Sequence, residues 1–257
     1  MKKTVIIGGG FVGSYCAKAL EDDFDVTLID TTDYFEFTPS ILRVIVEPRC
    51  LKNIHVKHKD YLKKANFIHG EVTEVTKKYV FVKRKKIKFD YLVICSGSKY
   101  YLPIKEQNVL VPTRVENLKK ANEKLKKAKN VTLIGGGIVG VELAAEIIGK
   151  FPKKKVTIIE GESCLIKRNN TKCKIYAENF LKERGVKIIL NEMFVKEIKN
   201  YVITKKGRRV KSDLVFVCTG INFNTEFMSK NFSKELDNEK RIKVNEFLQL
   251  HGHKNIF

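Results

Sequence analysis

Gly8-Gly9-Gly10-Phe11-Val12-Gly13 and Gly135-Gly136-Gly137-Ile138-Val139-Gly140 share one spacing, G-x-G-x-x-G, near the start and the middle of the chain. The chemistry that this spacing supports is pyrophosphate binding. Gly8 and Gly135 let the chain turn sharply out of a strand, Gly10 and Gly137 leave bare backbone for the anion, and Gly13 and Gly140 let the next helix pack closely. That helix then offers the phosphates its unpaired N–H groups and partial positive charge. An acid follows each set of glycines, Asp30 in the first copy and Glu160 in the second, at roughly the 20-residue distance where a carboxylate accepts hydrogen bonds from ribose hydroxyls. Two dinucleotide clefts in one polypeptide point to electron transfer between them.

The glycines need strands before them and helices after them. Val5-Ile6-Ile7 and the apolar run 131–134 supply the strands. Val12, Tyr15, Cys16 and Ala19 in the first copy, and Val141, Ala144, Ala145 and Ile148 in the second, fall at helical i, i+3, i+4, i+7 spacing and predict one buried stripe each. Apolar strands at 26–29 and 156–159 lead to the two acids, and the stretches 90–97 and 212–220 close each half on Gly97 and Gly220. Each half therefore reads as a βαβ unit, a meander of short charged strands and a returning buried strand. The fold class is α/β, with two Rossmann-like dinucleotide-binding domains.

With both fingerprints, the stretch 154–160 and the segments 242–249 and 255–257, the chain resembles the two-dinucleotide-binding flavoproteins of the pyridine nucleotide-disulfide reductase superfamily. Within it, the chain is most similar to the apoptosis-inducing-factor-like ferroptosis suppressor proteins and type II NADH dehydrogenases. The resemblance implies an FAD-binding domain at 1–112, completed by 239–257, with an NAD(H)-binding domain inserted at 113–238. It assigns Gly8, Gly10, Gly13 and Asp30 to FAD, and Gly135, Gly137, Gly140 and Glu160 to NADH, with NADPH the less favoured nucleotide. The closing glycines Gly97 and Gly220 join the cofactor-binding set. Thr38 and Pro39 match the segment that lines the flavin, against a reading as an ordinary loop. Glu142 matches a glutamate near the nicotinamide–flavin contact, against a reading as a helix-capping acid; Glu146 is expected at the domain interface. Relatives continue past the Asn255-Ile256-Phe257 match into a Gly-Asp pair and a C-terminal domain, so a truncated chain is the expectation.

Composition narrows the rest. The chain has 257 residues, 43% of them hydrophobic, which suffices for a core of one or two domains. It has no apolar run of membrane-spanning length, the N-terminus reads as strand and turn rather than leader, and Lys2 removes an N-myristoylation signal. A cytoplasmic protein, with a peripheral membrane location as the variant, is expected. The net charge of +21 comes from 41 Lys and only 9 Arg, spread over turns and exposed faces. A solvated surface is the first reading, an anionic membrane surface the second and nucleic acid the third, because base readers favour Arg. Six cysteines, Cys16, Cys50, Cys95, Cys164, Cys173 and Cys218, form no C-x-x-C or C-x-x-x-x-C pair. The scatter suits a reducing compartment, and Cys164 with Cys173 is the one pairing open to a sulfide-oxidising role. His55 with His58 and His251 with His253 lack companions at ligand spacing, so no metal is expected and all four read as surface histidines.

The expected activity is FAD-dependent NAD(P)H oxidation with electrons passed to an external acceptor, a quinone first and oxygen or another small oxidant next. Two alternatives stand beside it: an apoptosis-inducing-factor-like nucleic-acid-binding flavoprotein, and a nucleotide-binding module without turnover.

Overall fold

The computed structural model describes residues 1–101 and 103–257. In the first half β1 (Lys3–Ile7), α1 (Phe11–Leu20) and β2 (Asp25–Asp30) form one crossover. The chain continues through β3 (Tyr34–Glu36), α2 (Ile41–Val46), β4 (His55–Lys57) and α3 (His58–Tyr61) to β5 (Asn66–His69). An antiparallel meander of β6 (Val72–Val75), β7 (Tyr79–Val82) and β8 (Lys85–Lys88) returns as β9 (Tyr91–Ile94), and the short β10 (Ser98–Lys99) follows. Helix α4 (Val111–Lys127) leads to the second copy: β11 (Asn130–Ile134), α5 (Ile138–Lys150), β12 (Lys155–Ile159), α6 (Thr171–Glu183) and β13 (Lys187–Ile189). Its meander is β14 (Phe194–Ile198), β15 (Tyr201–Thr204) and β16 (Arg209–Lys211), its returning strand β17 (Leu214–Val217), and β18 (Asn222–Phe223) pairs back with β10.

The two principal sheets are parallel and have equivalent orders, β5-β2-β1-β9 and β13-β12-β11-β17. Ile7 lies opposite Ile29 and Ile94, and Ile134 opposite Ile159 and Val217. Each glycine turn therefore leaves a central strand whose two neighbours belong to crossovers on opposite sides, which is the switch point where open α/β sheets bind ligands.

Parallel strands are covered on both faces, which is why they read as unbroken apolar runs. Strand alternation divides the first sheet: Val5 and Ile7 pack with the meander residues Val75 and Val80, while Ile6 packs with Ala17, Leu28 and Leu62 beneath α1. In the second, Val131 and Leu133 pack with Leu143, Ala144 and Ile147 of α5, and Ile134 faces Val202 and Val210 of its meander.

The predicted stripe of α1 is displaced by one position. Val12, Tyr15 and Ala19 are exposed, and Gly13, Cys16, Ala17 and Leu20 face the sheet. The glycine is the reason: the bare Cα of Gly13 lies against the Gly8 carbonyl in the turn and fixes the helix's rotation, so the bulkier Val12 and Tyr15 turn outward. In α5 the inward residues Gly140, Leu143, Ala144, Ile147 and Ile148 include two of the expected four, with Val141 and Ala145 half-buried.

One apolar cluster bridges the two halves. Ile41, Val44 and Ile45 of α2 lie in the same cluster as Leu118 and Leu125 of α4 and Leu143 and Ile147 of α5. The tail returns to the first sheet, where Ile256 pairs with Leu92 in parallel and the Ile94 amide donates to the Phe257 carbonyl at 2.7 Å.

Glu21, at the end of α1, anchors the loop that leads into β5. One oxygen accepts from the amides of Lys63, Lys64 and Ala65 at 2.8, 2.9 and 3.1 Å, and the other from Lys18 at 2.6 Å. Burial raises this carboxyl's pKa, but the Lys18 ammonium and the three amides outweigh it and hold it at about 2. A depressed carboxylate contributes stability above its ordinary value of 4.5 that is lost as pH falls toward 2. Glu21→Ala, which leaves three amides without their charged acceptor, is expected to cost roughly 2 kcal/mol in chemical denaturation at neutral pH, with the difference from wild type shrinking in acid. An undiminished difference at low pH would contradict the anchor.

Candidate active site

The first glycine turn shows why each position is bare. Gly8 has φ +96°, and a Cβ there would run into the Cys95 carbonyl just past β9; a Cβ on Gly13 would run into the carbonyl of Gly8. Gly10 is different: no atom lies within 4 Å of where its Cβ would be. The second turn repeats this arrangement. Gly135 has φ +107° with Thr219 Cγ2 at 2.7 Å from the Cβ position, Gly140 abuts the Gly135 carbonyl, and Gly137 faces open space. The outer glycines thus close the strand–turn–helix corner, and the middle glycines keep a cradle that a side chain would fill.

The acids sit behind these cradles. Asp30 accepts from the amide of Gly9 through Oδ2, and through Oδ1 from the amide and hydroxyl of Thr32 at 2.7 and 2.8 Å. Glu160 accepts from the amide of Gly136 through Oε2 and from that of Glu162 through Oε1 at 2.9 Å. Both carboxylates are held before any ligand arrives. A bare cradle at a helix N-terminus with a fixed acid beside it suits a dinucleotide in either half.

A cleft of about 540 Å³ opens over the first turn. Gly8, Gly10, Asp30, Thr38 and Gly97 line it. Gly13 and Pro39 do not; Gly13 packs under the turn. The volume falls in the range of small-molecule sites, roughly 300–1,000 Å³. Lys105 also faces the cleft and donates to the Ser98 carbonyl at 2.6 Å; burial lowers its pKa against the pull of Asp30 and Glu36. Gly135, Gly137, Gly140 and Glu160 gather at the second turn, and Gly220 closes the second half with φ +75°.

Glu142 stands on the solvent side of α5, outside the first cleft. Partial burial and the neighbouring Glu146 raise its carboxyl above the usual range. Glu146 meets Arg43 of α2 through Nε and Nη2 at 3.0 and 2.9 Å, and Lys150 reaches Glu47 at 3.2 Å, so this face of α5 is the seam with the segment that follows Thr38.

Sequence reasoning missed a buried charge cluster on the cleft wall. Glu36 accepts from Arg114 at 2.9 and 3.1 Å and contacts His55 Nε2 at 2.8 Å, while Arg114 also donates to the Pro103 and Ile104 carbonyls at 2.8 and 3.0 Å. Burial raises the Glu36 carboxyl, and His55 and Arg114 more than reverse it. Removing one partner would leave an unpaired buried charge, a cost of about 3–5 kcal/mol. His55 and His58 are therefore not surface residues: His55 is tied to Glu36 and His58 is fully buried. Nothing in their spacing announced it, because the partners come from distant segments. Among the described residues no group of His, Cys, Asp and Glu has the makings of a metal site.

A model of the pyridine nucleotide-disulphide oxidoreductase family matches residues 2–257. Apoptosis-inducing factor homolog A of Dictyostelium discoideum is 34% identical over 284 residues, covering 100% of this chain and 69% of that protein. Ferroptosis suppressor protein 1 of Homo sapiens is 30% identical over 268 residues, covering 98% of this chain and 72% of that one. Among solved structures, NDH2 from Plasmodium falciparum in complex with NADH superposes with a TM-score of 0.77 at 20% identity, over 100% of this chain and 63% of that one. The chain spans from half to about two thirds of the solved chains that it matches.

The glycine geometry separates two outcomes. Gly10→Val projects into open space and is expected to fold with a wild-type far-UV spectrum yet purify without flavin, while Gly13→Val, driven into the Gly8 carbonyl, is expected to yield no folded protein. Normal flavin content in the Gly10 variant would contradict the cradle.

Proposed function

This chain belongs to the pyridine nucleotide-disulphide oxidoreductase family, and on that premise we propose that it is an FAD-dependent NADH oxidoreductase that passes electrons to an external quinone. The observation that carries this reading is the duplicated cradle: two open middle glycines, each with a carboxylate already fixed beside it. Gly10, Asp30 and Thr38 would hold FAD, and the chemistry it would supply there is acceptance of hydride from a nicotinamide and release of electrons to a further acceptor.

The protein's part is placement. In the first cleft Gly10 and the start of α1 take the pyrophosphate, Asp30 the adenosine ribose, and Thr38 the wall further along. In the second, Gly137 and the start of α5 take the nucleotide phosphates and Glu160 the ribose. Pro39, Gly97 and Gly220 shape the turns around these groups, and Glu142 supplies a carboxyl with a raised pKa one helical turn before Glu146. The 1–112 and 113–238 division, with 239–257 completing the first unit, assigns one cofactor to each half.

Two features support NADH and an outside acceptor. Glu160 would repel a ribose 2'-phosphate; Lys167 and Arg168 in the same loop soften that preference, and of the two Lys167 is engaged by Glu162 at 2.7 Å. All six cysteines are free. Burial, with the adjoining Cys16 thiol, pushes Cys95 up to about 12, and burial alone does the same to Cys218, so neither supplies a thiolate near neutrality. The quinone assignment draws on the sequence's resemblance to the ferroptosis suppressor proteins and type II NADH dehydrogenases. Among the described residues no helix is long and apolar enough to cross a membrane.

Steady-state rates are expected to favour NADH over NADPH by about tenfold or more in kcat/KM; an NADPH advantage would overturn the role of Glu160. A folded variant with every cysteine replaced is expected to keep NADH-driven quinone reduction. If it keeps its flavin but loses turnover, a thiol relay operates instead. Glu142→Gln is expected to retain flavin and slow flavin reduction or reoxidation by about tenfold in rapid-mixing traces, and an unchanged rate would remove Glu142 from the reaction.

A further inference from the structure

His58 is fully buried, yet one of its ring nitrogens has no partner. Its Nδ1 lies 2.7 Å from the Tyr61 hydroxyl, and its ring packs against Phe67 with centroids 4.9 Å apart. The remaining nitrogen, Nε2, abuts the phosphate turn. The point that a Cβ on Gly9 would occupy lies 2.6 Å from Nε2 and 3.0 Å from Asp30 Oδ2, so imidazole and carboxylate flank the same glycine. Gly9 in turn donates its amide to that carboxylate. Gly9 occupies a variable position of the G-x-G-x-x-G pattern, and the His58 ring is what excludes a side chain there.

We propose that His58 is a positioning residue for the dinucleotide of the first cleft: wedged behind Gly9, it fixes the turn and the Asp30 carboxylate in the orientation that receives the adenosine ribose. The inference rests on the reading of that cleft as the FAD site. A buried polar atom without a partner costs free energy, and the neutral tautomer with hydrogen on Nε2 puts a donor next to an anion. The phenol of Tyr61, which burial raises to about 12, stays protonated and can donate to Nδ1, selecting that tautomer. The charged and titratable groups facing the ring are Asp30, Asp33 and Tyr61. Burial lowers the imidazole's pKa against the pull of the two aspartates, so the ring is neutral around pH 7 and takes up a proton only in acid. The imidazolium would then compete with the ribose for Asp30.

The test is the FAD dissociation constant of the full chain stripped of flavin, read by flavin fluorescence, with NADH affinity measured on the same samples. His58→Ala is expected to weaken FAD by about tenfold while NADH affinity stays within about twofold. His58→Gln returns an N–H donor near the Nε2 position and is expected to restore FAD affinity to within about threefold of wild type. Wild type is expected to release FAD increasingly as the pH falls below the ordinary histidine range, and His58→Gln to show a flatter profile. Wild-type affinity in His58→Ala, or a glutamine variant as weak as the alanine one, overturns the proposal. If His58→Ala does not fold, the pH profile of His58→Gln decides: a flat profile supports the role, and one matching wild type overturns it. A wild-type chain that binds NADH but no FAD at any pH would instead overturn the reading of the cleft itself.

Discussion

The approach of a helix to the strand before it governs the rest of this molecule. At Gly13 and Gly140 the helix comes so near the preceding turn that a Cβ would overlap a backbone carbonyl. That closeness aims the helix N-terminus at the cleft and leaves the middle glycine facing open space. It also sets the rotation of α1, turning Gly13, Cys16 and Ala17 inward and leaving Val12 and Tyr15 in solvent. Sheet order then does the remainder, because each turn leaves a central parallel strand at its switch point.

A second constraint joins the halves. Helix α2 follows the Thr38–Ser40 turn and buries its apolar face against α4 and α5, while Arg43 and Glu47 reach Glu146 and Lys150 along the rim. Arg114, in the first turn of α4, is sunk into the first half and held by Glu36 on the cleft wall. Apolar packing supplies the contact area there, and the buried ion pair fixes its register, since misplacement would strand a charge.

Much of the fold was legible because its signals are local. Two glycine patterns, the strands around them and an acid beyond each give the same architecture twice, and the family match over residues 2–257 agrees with it. What escaped was decided by long-range partners. The inward face of α1 depends on a glycine's fit against the Gly8 carbonyl of the turn and not on the i, i+3 count of apolar residues. His55 and His58 read as surface residues because Glu36, Gly9 and Asp30, which help enclose them, meet only in the folded chain. Arg114 carries no local signal in the sequence, and only its acceptors, drawn from residues 36, 103 and 104, show it to be internal.

The central claim is that two cofactor sites in one chain exchange hydride, and the visible spectrum of the purified protein under anaerobic NADH addition tests it most directly. The account predicts a yellow protein whose flavin absorbance is lost on mixing with stoichiometric NADH and restored by a soluble quinone. A protein that carries flavin and binds NADH but keeps its absorbance unchanged would contradict it.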